Sequence, residues 1–221
     1  WSNPTNFGRP LNSARHDGSG AFTENHSIYF TRWSEEDKSQ MHIYVAREIG
    51  LRFFESQKLD ERVNIEGYQS INPYVSANGE YLYFSSNKPG GLGGFDIWRI
   101  ELDEEGNLKG EAKNLGQPVN SEFDERAPFY HDITSTLYFS SDGHETMGGL
   151  DIFRSRFDNG LKVFKSPDNI GMPMNSEADD SYYILSNDMR TGFMSSNREL
   201  CMECDSIYGL CSSCYHIYEV G

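Results

Sequence analysis

Residues Asn114-Leu115-Gly116-Gln117-Pro118-Val119-Asn120 return as Asn169-Ile170-Gly171-Met172-Pro173-Met174-Asn175 and, near the start of the chain, as Asn6-Phe7-Gly8-Arg9-Pro10-Leu11-Asn12. A degraded copy ends at Arg62-Val63-Asn64. The closing asparagines stand at 12, 64, 120 and 175, spaced by 52, 56 and 55 residues. A fixed period of this size is the mark of a repeat architecture.

Each asparagine opens the same series of segments. A short strand comes first, at Gly20-Ala21-Phe22, Asn72-Pro73-Tyr74, Ala127-Pro128-Phe129 and Tyr182-Tyr183-Ile184. A turn follows, clearest at Ser76-Ala77-Asn78-Gly79. An aromatic strand ending in small hydroxyls is next, as in Leu82-Tyr83-Phe84-Ser85-Ser86 and Leu137-Tyr138-Phe139-Ser140-Ser141. A loop leads to a third strand at Met41-His42-Ile43-Tyr44, Phe95-Asp96-Ile97-Trp98, Leu150-Asp151-Ile152-Phe153 and Tyr215-His216-Ile217-Tyr218. A fourth strand, such as 108–112 or 161–165, returns to the asparagine motif.

Four short strands per repeat predict a propeller blade, which buries its faces only by stacking on its neighbours. The expected fold is therefore an all-β, small β-propeller of four blades, each of four antiparallel strands. The blades span about 12–63, 64–119, 120–174 and 175–221 plus 1–11. The N-terminal strand is expected to close the ring by completing the last blade, leaving no unpaired edge. A five-bladed ring with one blade upstream is the rival. The chain opens at Trp1 rather than Met and reads as a domain of a longer protein.

Composition agrees. Aromatic residues reach 14%, which suits pleated surfaces, and no apolar run approaches the length of a membrane span. The net charge of -15 argues against nucleic acid and against an anionic membrane surface, both of which need clustered Lys and Arg.

The stretch Ser85-Ser86-Asn87-Lys88-Pro89-Gly90-Gly91-Leu92-Gly93-Gly94-Phe95-Asp96-Ile97-Trp98, repeated at 140–153 with Gly148-Gly149-Leu150-Asp151, resembles the WD-type, TolB-like propeller repeat of bacterial envelope proteins. The variant it is most similar to occurs in Bacteroidota proteins that join a tetratricopeptide region, this propeller and an OmpA-like peptidoglycan-binding domain, among them a type IX secretion component. The resemblance covers nearly the whole chain. It implies a non-enzymatic protein-interaction scaffold in the periplasm, associated with the outer membrane. The implied partners are envelope proteins of the same assembly. Peptidoglycan would be reached only through a domain outside this chain, and no membrane insertion by this domain is implied.

Two repeats depart from the pattern. Repeat one has the charged stretch 33–40 in place of the glycine-rich loop, and repeat four has a cysteine-rich insertion. In both, His42 or His216 replaces the aspartate of the third strand.

The insertion carries Cys201-Met202-Glu203-Cys204 and Cys211-Ser212-Ser213-Cys214. Four thiolates can hold zinc tetrahedrally, but the six residues between the pairs are fewer than the roughly 15–20 of zinc ribbons. Nested disulfides, Cys201 to Cys214 and Cys204 to Cys211, are preferred for an exported protein. Redox chemistry lacks its βαβ context. No cofactor is expected apart from that zinc alternative. Asp96 and Asp151 follow Gly-Gly turns at matching places and are expected to cap backbone N–H groups there.

The loops entering the first strands gather at one end of a propeller. They carry Asp17, Tyr68, Asp124, Glu125, Arg126, Asp179 and Asp180, which together form a candidate acidic, partly aromatic docking face. Solvated turns capped by Asp are the plain alternative. There is no nucleophile elbow, no zinc-protease helix motif and no phosphate loop, so no catalytic residue is assigned. The second reading is a propeller lectin or hydrolase that takes envelope glycans at the channel mouth.

Overall fold

The computed structural model describes residues 6–9, 11–13, 16–33, 40–50, 52–198 and 216–220. They form four antiparallel sheets arranged as a four-bladed β-propeller, with one short 3-10 turn at Asp132–Thr134. The first sheet holds β1 (Asp17–Phe22), β2 (Ser27–Trp33), β3 (Met41–Ile49), β4 (Arg52–Phe53) and β5 (Gln57–Lys58). The second holds β6 (Ser70–Val75), β7 (Tyr81–Ser86), β8 (Asp96–Leu102) and β9 (Leu108–Asn114). The third holds β10 (Glu125–His131), β11 (Thr136–Ser141), β12 (Asp151–Asp158), β13 (Val163–Phe164) and β14 (Asp168–Asn169). The fourth holds β15 (Asp180–Leu185), β16 (Gly192–Ser196) and β17 (His216–Val220).

The four-strand blade is met as drawn only in the second sheet. In the third, the returning segment touches β12 twice, as β13 and β14. Between them lies Pro167, which has no N–H to give to a ladder. The first sheet splits its returning segment in the same way, into β4 and β5. The fourth sheet shows three strands among the described residues, and no strand precedes Asp17 there. Of the expected closing segment, 1–11, residues 1–5 and 10 fall outside the described residues, and 6–9 and 11 form no strand.

The core lies between the sheets. Tyr29, Ile43 and Val63 pack with Leu82, Phe84, Trp98 and Ile100 across the first joint. Tyr83, Ile97 and Val119 pack with Leu137, Phe139 and Phe153 across the second. Second strands are therefore buried on both faces, and aromatic and branched residues fill them without alternation. The turn at Ser76–Gly79 sharpens one inner hairpin. Gly79 takes the left-handed region at φ +73, and its N–H donates to the Ser76 carbonyl at 2.8 Å.

The repeated asparagine motif is a cap. Asn120 Oδ1 accepts from the Ile97 N–H at 2.9 Å, and its Nδ2 donates to the Ile97 carbonyl at 3.0 Å. Asn175 does the same at Ile152, at 2.9 and 2.8 Å, and Asn64 at Ile43, at 2.8 and 2.9 Å. Each carboxamide thus satisfies the outward N–H of a buried third strand and shares its carbonyl with a backbone N–H of the returning segment, from Leu59, Leu115 or Ile170. Removing that of Asn120 leaves the buried Ile97 N–H unpaired, while the Ile97 carbonyl keeps the Leu115 N–H at 3.0 Å. We expect Asn120→Ala to cost about 2 kcal/mol. Urea denaturation should show this as a lowered midpoint at unchanged slope.

Candidate docking face

The loops entering the inner strands are held by a polar box repeated in every blade. In the third, Glu125 is fully buried and accepts from the Ser121 N–H and Oγ at 2.8 and 2.6 Å and from Ser141 Oγ at 2.8 Å. In the fourth, Asp180, also fully buried, accepts from the Ser176 N–H and Oγ at 2.7 and 2.8 Å and pairs with Arg198 at 2.6 Å. In the first, Asp17 accepts from the Ser13 N–H at 2.7 Å and pairs with Arg32 at 2.6 Å. In the second, Ser70 takes the place of the acid and donates to the Val63 carbonyl at 2.6 Å. Asp17, Glu125 and Asp180, placed by sequence on a docking face, therefore point into their own blades. They stand directly opposite a residue of the second strand, in the Asp17–Arg32, Glu125–Ser141 and Asp180–Ser196 registers.

Asp124 and Asp179 join blades. Asp124 Oδ1 accepts from the Phe95 N–H of the preceding blade at 2.8 Å, and Asp179 Oδ1 from the Leu150 N–H at 3.0 Å. The backbone reinforces both joints, Glu125 N–H to the Phe95 carbonyl and Asp180 N–H to the Leu150 carbonyl. Arg126 grips Asp124 Oδ2 at 2.6 Å and lies 4.5 Å over the Phe95 ring. The glycine loops are glycine because nothing else fits. A Cβ on Gly93 or Gly148 would overlap the backbone of Glu122 or Glu177, and one on Gly94 or Gly149 would overlap the carboxylate of Asp124 or Asp179. Asp96 and Asp151 cap these loops. Asp96 Oδ2 accepts from the Leu92 N–H at 2.6 Å and from Asn114 Nδ2 at 3.1 Å. Asp151 Oδ2 accepts from the Met147 N–H at 2.6 Å and from Asn169 Nδ2 at 2.8 Å.

With those carboxylates bound in the scaffold, other side chains remain exposed at this end. Apolar Leu92, Phe123, Met147 and Met172 project from the glycine loops, the inner-strand entries and the asparagine loops, beside Tyr68. Glu122, Glu145 and Glu177 stand exposed among them. Sequence reasoning chose the acids by type and missed the apolar members. Their signal was the large apolar residue set between glycines or acids in a loop.

At the other end of the axis the inner strands form a funnel of about 430 Å³. Its walls include Phe22, Tyr74, Phe129 and Ile184, one from each blade. Its floor is Asn72, whose carboxamide reaches all three other blades: Ser19 Oγ at 3.2 Å, Tyr182 Oη at 2.8 Å and the Ala127 N–H at 3.4 Å. Asn72, Ala127 and Tyr182 each sit at a bulge in an inner strand with φ near +50. That left-handed conformation is uncommon for residues other than glycine.

Among the described residues, no group of His, Cys, Asp and Glu could hold a metal ion. Cys201, Cys204, Cys211 and Cys214 lie outside the described residues, and so does the His216 side chain. His42 is buried, and that burial, with Lys58 nearby, holds its pKa below the usual value.

No protein-family model matches this sequence, and no curated protein matches it. Solved structures do resemble it in fold. TolB from Acinetobacter baumannii superposes with a TM-score of 0.58 at 17% identity, over 95% of this chain and 42% of that one. A putative TolB from Agrobacterium tumefaciens gives 0.52 at 16%, over 77% and 50%. A puromycin-hydrolyzing peptidase from Mycobacterium tuberculosis gives 0.53 at 15%, over 85% and 27%. The chain thus spans half or less of the length of these proteins, and the likeness establishes a TolB-like propeller fold.

One buried cation makes the scaffold pH-dependent. Lys88 Nζ donates to the Arg62 carbonyl at 2.6 Å and lies 4.3 Å from the Trp98 ring centroid. Burial lowers its pKa from 10.5 to about 8. Between those values the unfolded chain holds a proton that the folded chain has released, so stability rises with pH across that window. We expect the wild type to gain on Lys88→Met as pH rises from about 8 to 10, read as the difference in urea midpoints.

Proposed function

We propose that this chain is a non-enzymatic protein-interaction module of a cell-envelope protein, periplasmic and associated with the outer membrane, with type IX secretion as its setting. The observation that carries the proposal is the end of the propeller where Leu92, Phe123 and Met147 stand exposed on loops fastened to the next blade. Exposed apolar side chains on rigid loops mark interaction sites in otherwise polar surfaces. Glu122, Glu145 and Glu177 beside them suit a basic partner segment with apolar side chains of its own. The resemblance to envelope propellers supports the proposed location. Envelope proteins of the same assembly are the partners proposed.

A second reading has its own observation. The funnel is walled by aromatic rings, and no carboxylate is found among the described residues that line it. It suits an uncharged sugar ring of an envelope glycan, held rather than cleaved.

The two sites lie at opposite ends of the axis and can be separated by substitution. The triple variant Leu92→Ser, Phe123→Ser, Met147→Ser should abolish recovery of the envelope partner in a pull-down with purified chain. Phe22→Ser with Ile184→Ser should leave recovery intact. The reverse pattern, with glycan-array binding lost only in the funnel variant, would move the site to the funnel.

A further inference from the structure

The joint between the second and third blades holds an arginine with no acid of its own. Arg32, Arg62, Arg126 and Arg198 each pair with a carboxylate at 2.6 Å. Arg99 has no carboxylate within ion-pairing distance among the described residues. It is half-buried between rings instead, with its guanidinium carbon 5.0 Å from the Tyr81 ring centroid and 6.0 Å from that of Phe157. Stacking on ring faces orients a guanidinium and leaves the N–H groups round its edge to bond a planar acceptor.

The arrangement is particular to this joint. Arg99 stands directly opposite Tyr83. The equivalent tyrosine of the first blade, Tyr29, stands opposite Val45 and donates its hydroxyl to the Gly106 carbonyl. In the third blade Tyr138 stands opposite Arg154, which is exposed.

Arg99 lines a cavity of about 470 Å³ beside the turns at Ser76–Gly79 and Asp132–Thr134. Its wall is aromatic. Tyr83 and Tyr130 stack with centroids 5.5 Å apart, and Phe164 lies edge-on to Tyr130 at 6.3 Å and to Phe157 at 4.9 Å. A cavity of this size, mostly rings with a few polar groups, is suited to a small molecule.

The charges around it limit what that molecule can be. Asp132 accepts from the Ala77 N–H at 2.8 Å, and Glu80 and Lys162 stand exposed at the mouth. Burial pushes the Tyr83 and Tyr130 hydroxyls up in pKa, and on both Arg99 pulls down while Asp132 pushes up. Arg99 is thus the positive pole of the cavity and Asp132 the negative one. Asp132 and Glu80 offset Arg99 and Lys162, so the lining as a whole carries no net charge. It favours one anionic group at Arg99 over a multiply charged anion.

We propose that this cavity binds an aromatic monocarboxylate, with the carboxylate forked on Arg99 and the ring against Tyr130 and Phe164. The site goes beyond both readings of function above, because it shares no lining residue with the funnel and lies away from the docking end. A forked guanidinium–carboxylate pair is charge-assisted and bidentate, so the uncharged amide of the same ligand forfeits most of it.

Titration of the whole chain with hydrocinnamate, followed by NMR and calorimetry, tests this. We expect saturable binding that shifts the Arg99 and Tyr130 resonances. Hydrocinnamide, or Arg99→Leu with hydrocinnamate, should bind roughly tenfold or more weakly. Arg99→Lys keeps the charge without the fork and should fall between. Arg154→Leu, at the equivalent place in the third blade, should bind as the wild type does. An unshifted Ile152 amide, held by Asn175, reports that each Arg99 variant is folded. No saturable binding by the wild type, or equal affinity in wild type and Arg99→Leu, would overturn the site. Tighter binding of the phosphonate analogue would overturn the assignment to monocarboxylates.

Discussion

A carboxamide that both gives and accepts holds this propeller together. The third strand of the first three blades is buried near its start, and the returning segment reaches only the carbonyl there. The carbonyls of Ile43, Ile97 and Ile152 also accept from the Leu59, Leu115 and Ile170 N–H groups, but their own N–H groups would be unpaired there, at a cost that a marginally stable fold does not absorb three times over. Asparagine pairs the N–H and adds a second donor to the carbonyl with one side chain. In two blades it does more. Asn120 Nδ2 also donates to Asn114 Oδ1, Asn114 Nδ2 donates to Asp96 Oδ2, and Asp96 Oδ2 accepts from the Leu92 N–H of the glycine loop. Asn175, Asn169, Asp151 and Met147 form the same chain of bonds. One relay thus runs from the blade core to the loop that meets the next blade. An aspartate in place of the closing asparagine would break it, because it cannot donate.

The relay, with the polar boxes at the inner-strand entries, explains why several acids of a strongly acidic chain are unavailable to solvent. Asp96, Glu125, Asp151 and Asp180 are fully buried, each accepting from backbone N–H groups or side chains of its own blade. Burial raises the pKa of Asp96 and Glu125, and the donors around each carboxylate pull against it. At the axis Asn72 plays the corresponding part between blades. One amide touches all four inner strands, at a bulge whose left-handed backbone asparagine tolerates better than most residues.

Much of this was legible in the sequence because the repeat prints the same physics several times. The period in Asn12, Asn64, Asn120 and Asn175 gave blade number and strand order, and the Gly-Gly-x-Asp pattern gave the caps at Asp96 and Asp151. What was not legible is direction. Inner strands carry bulges, and a bulge moves side chains from one face to the other without a mark in the composition. Glu125 and Asp180 therefore read as loop acids while pointing inward. Asn72, Ala127 and Tyr182 share the same left-handed place in their blades, yet have no residue type in common to announce it.

The division between buried and exposed acids also bears on how such a module meets a partner. A carboxylate with its hydrogen bonds filled inside the blade offers nothing to a ligand and fixes the loop that carries it. Glu122, Phe123 and Glu177 sit one or two residues from such fixed points, at Asp124 and Asp179. Their side chains are exposed while their backbone is pinned against Gly93 and Gly148 of the neighbouring blade. Binding then costs only the ordering of side chains, not of loops. The same fastening that removes acids from the face leaves the remaining apolar and acidic groups preorganised, so the docking end owes its rigidity to the residues that cannot themselves take part in docking.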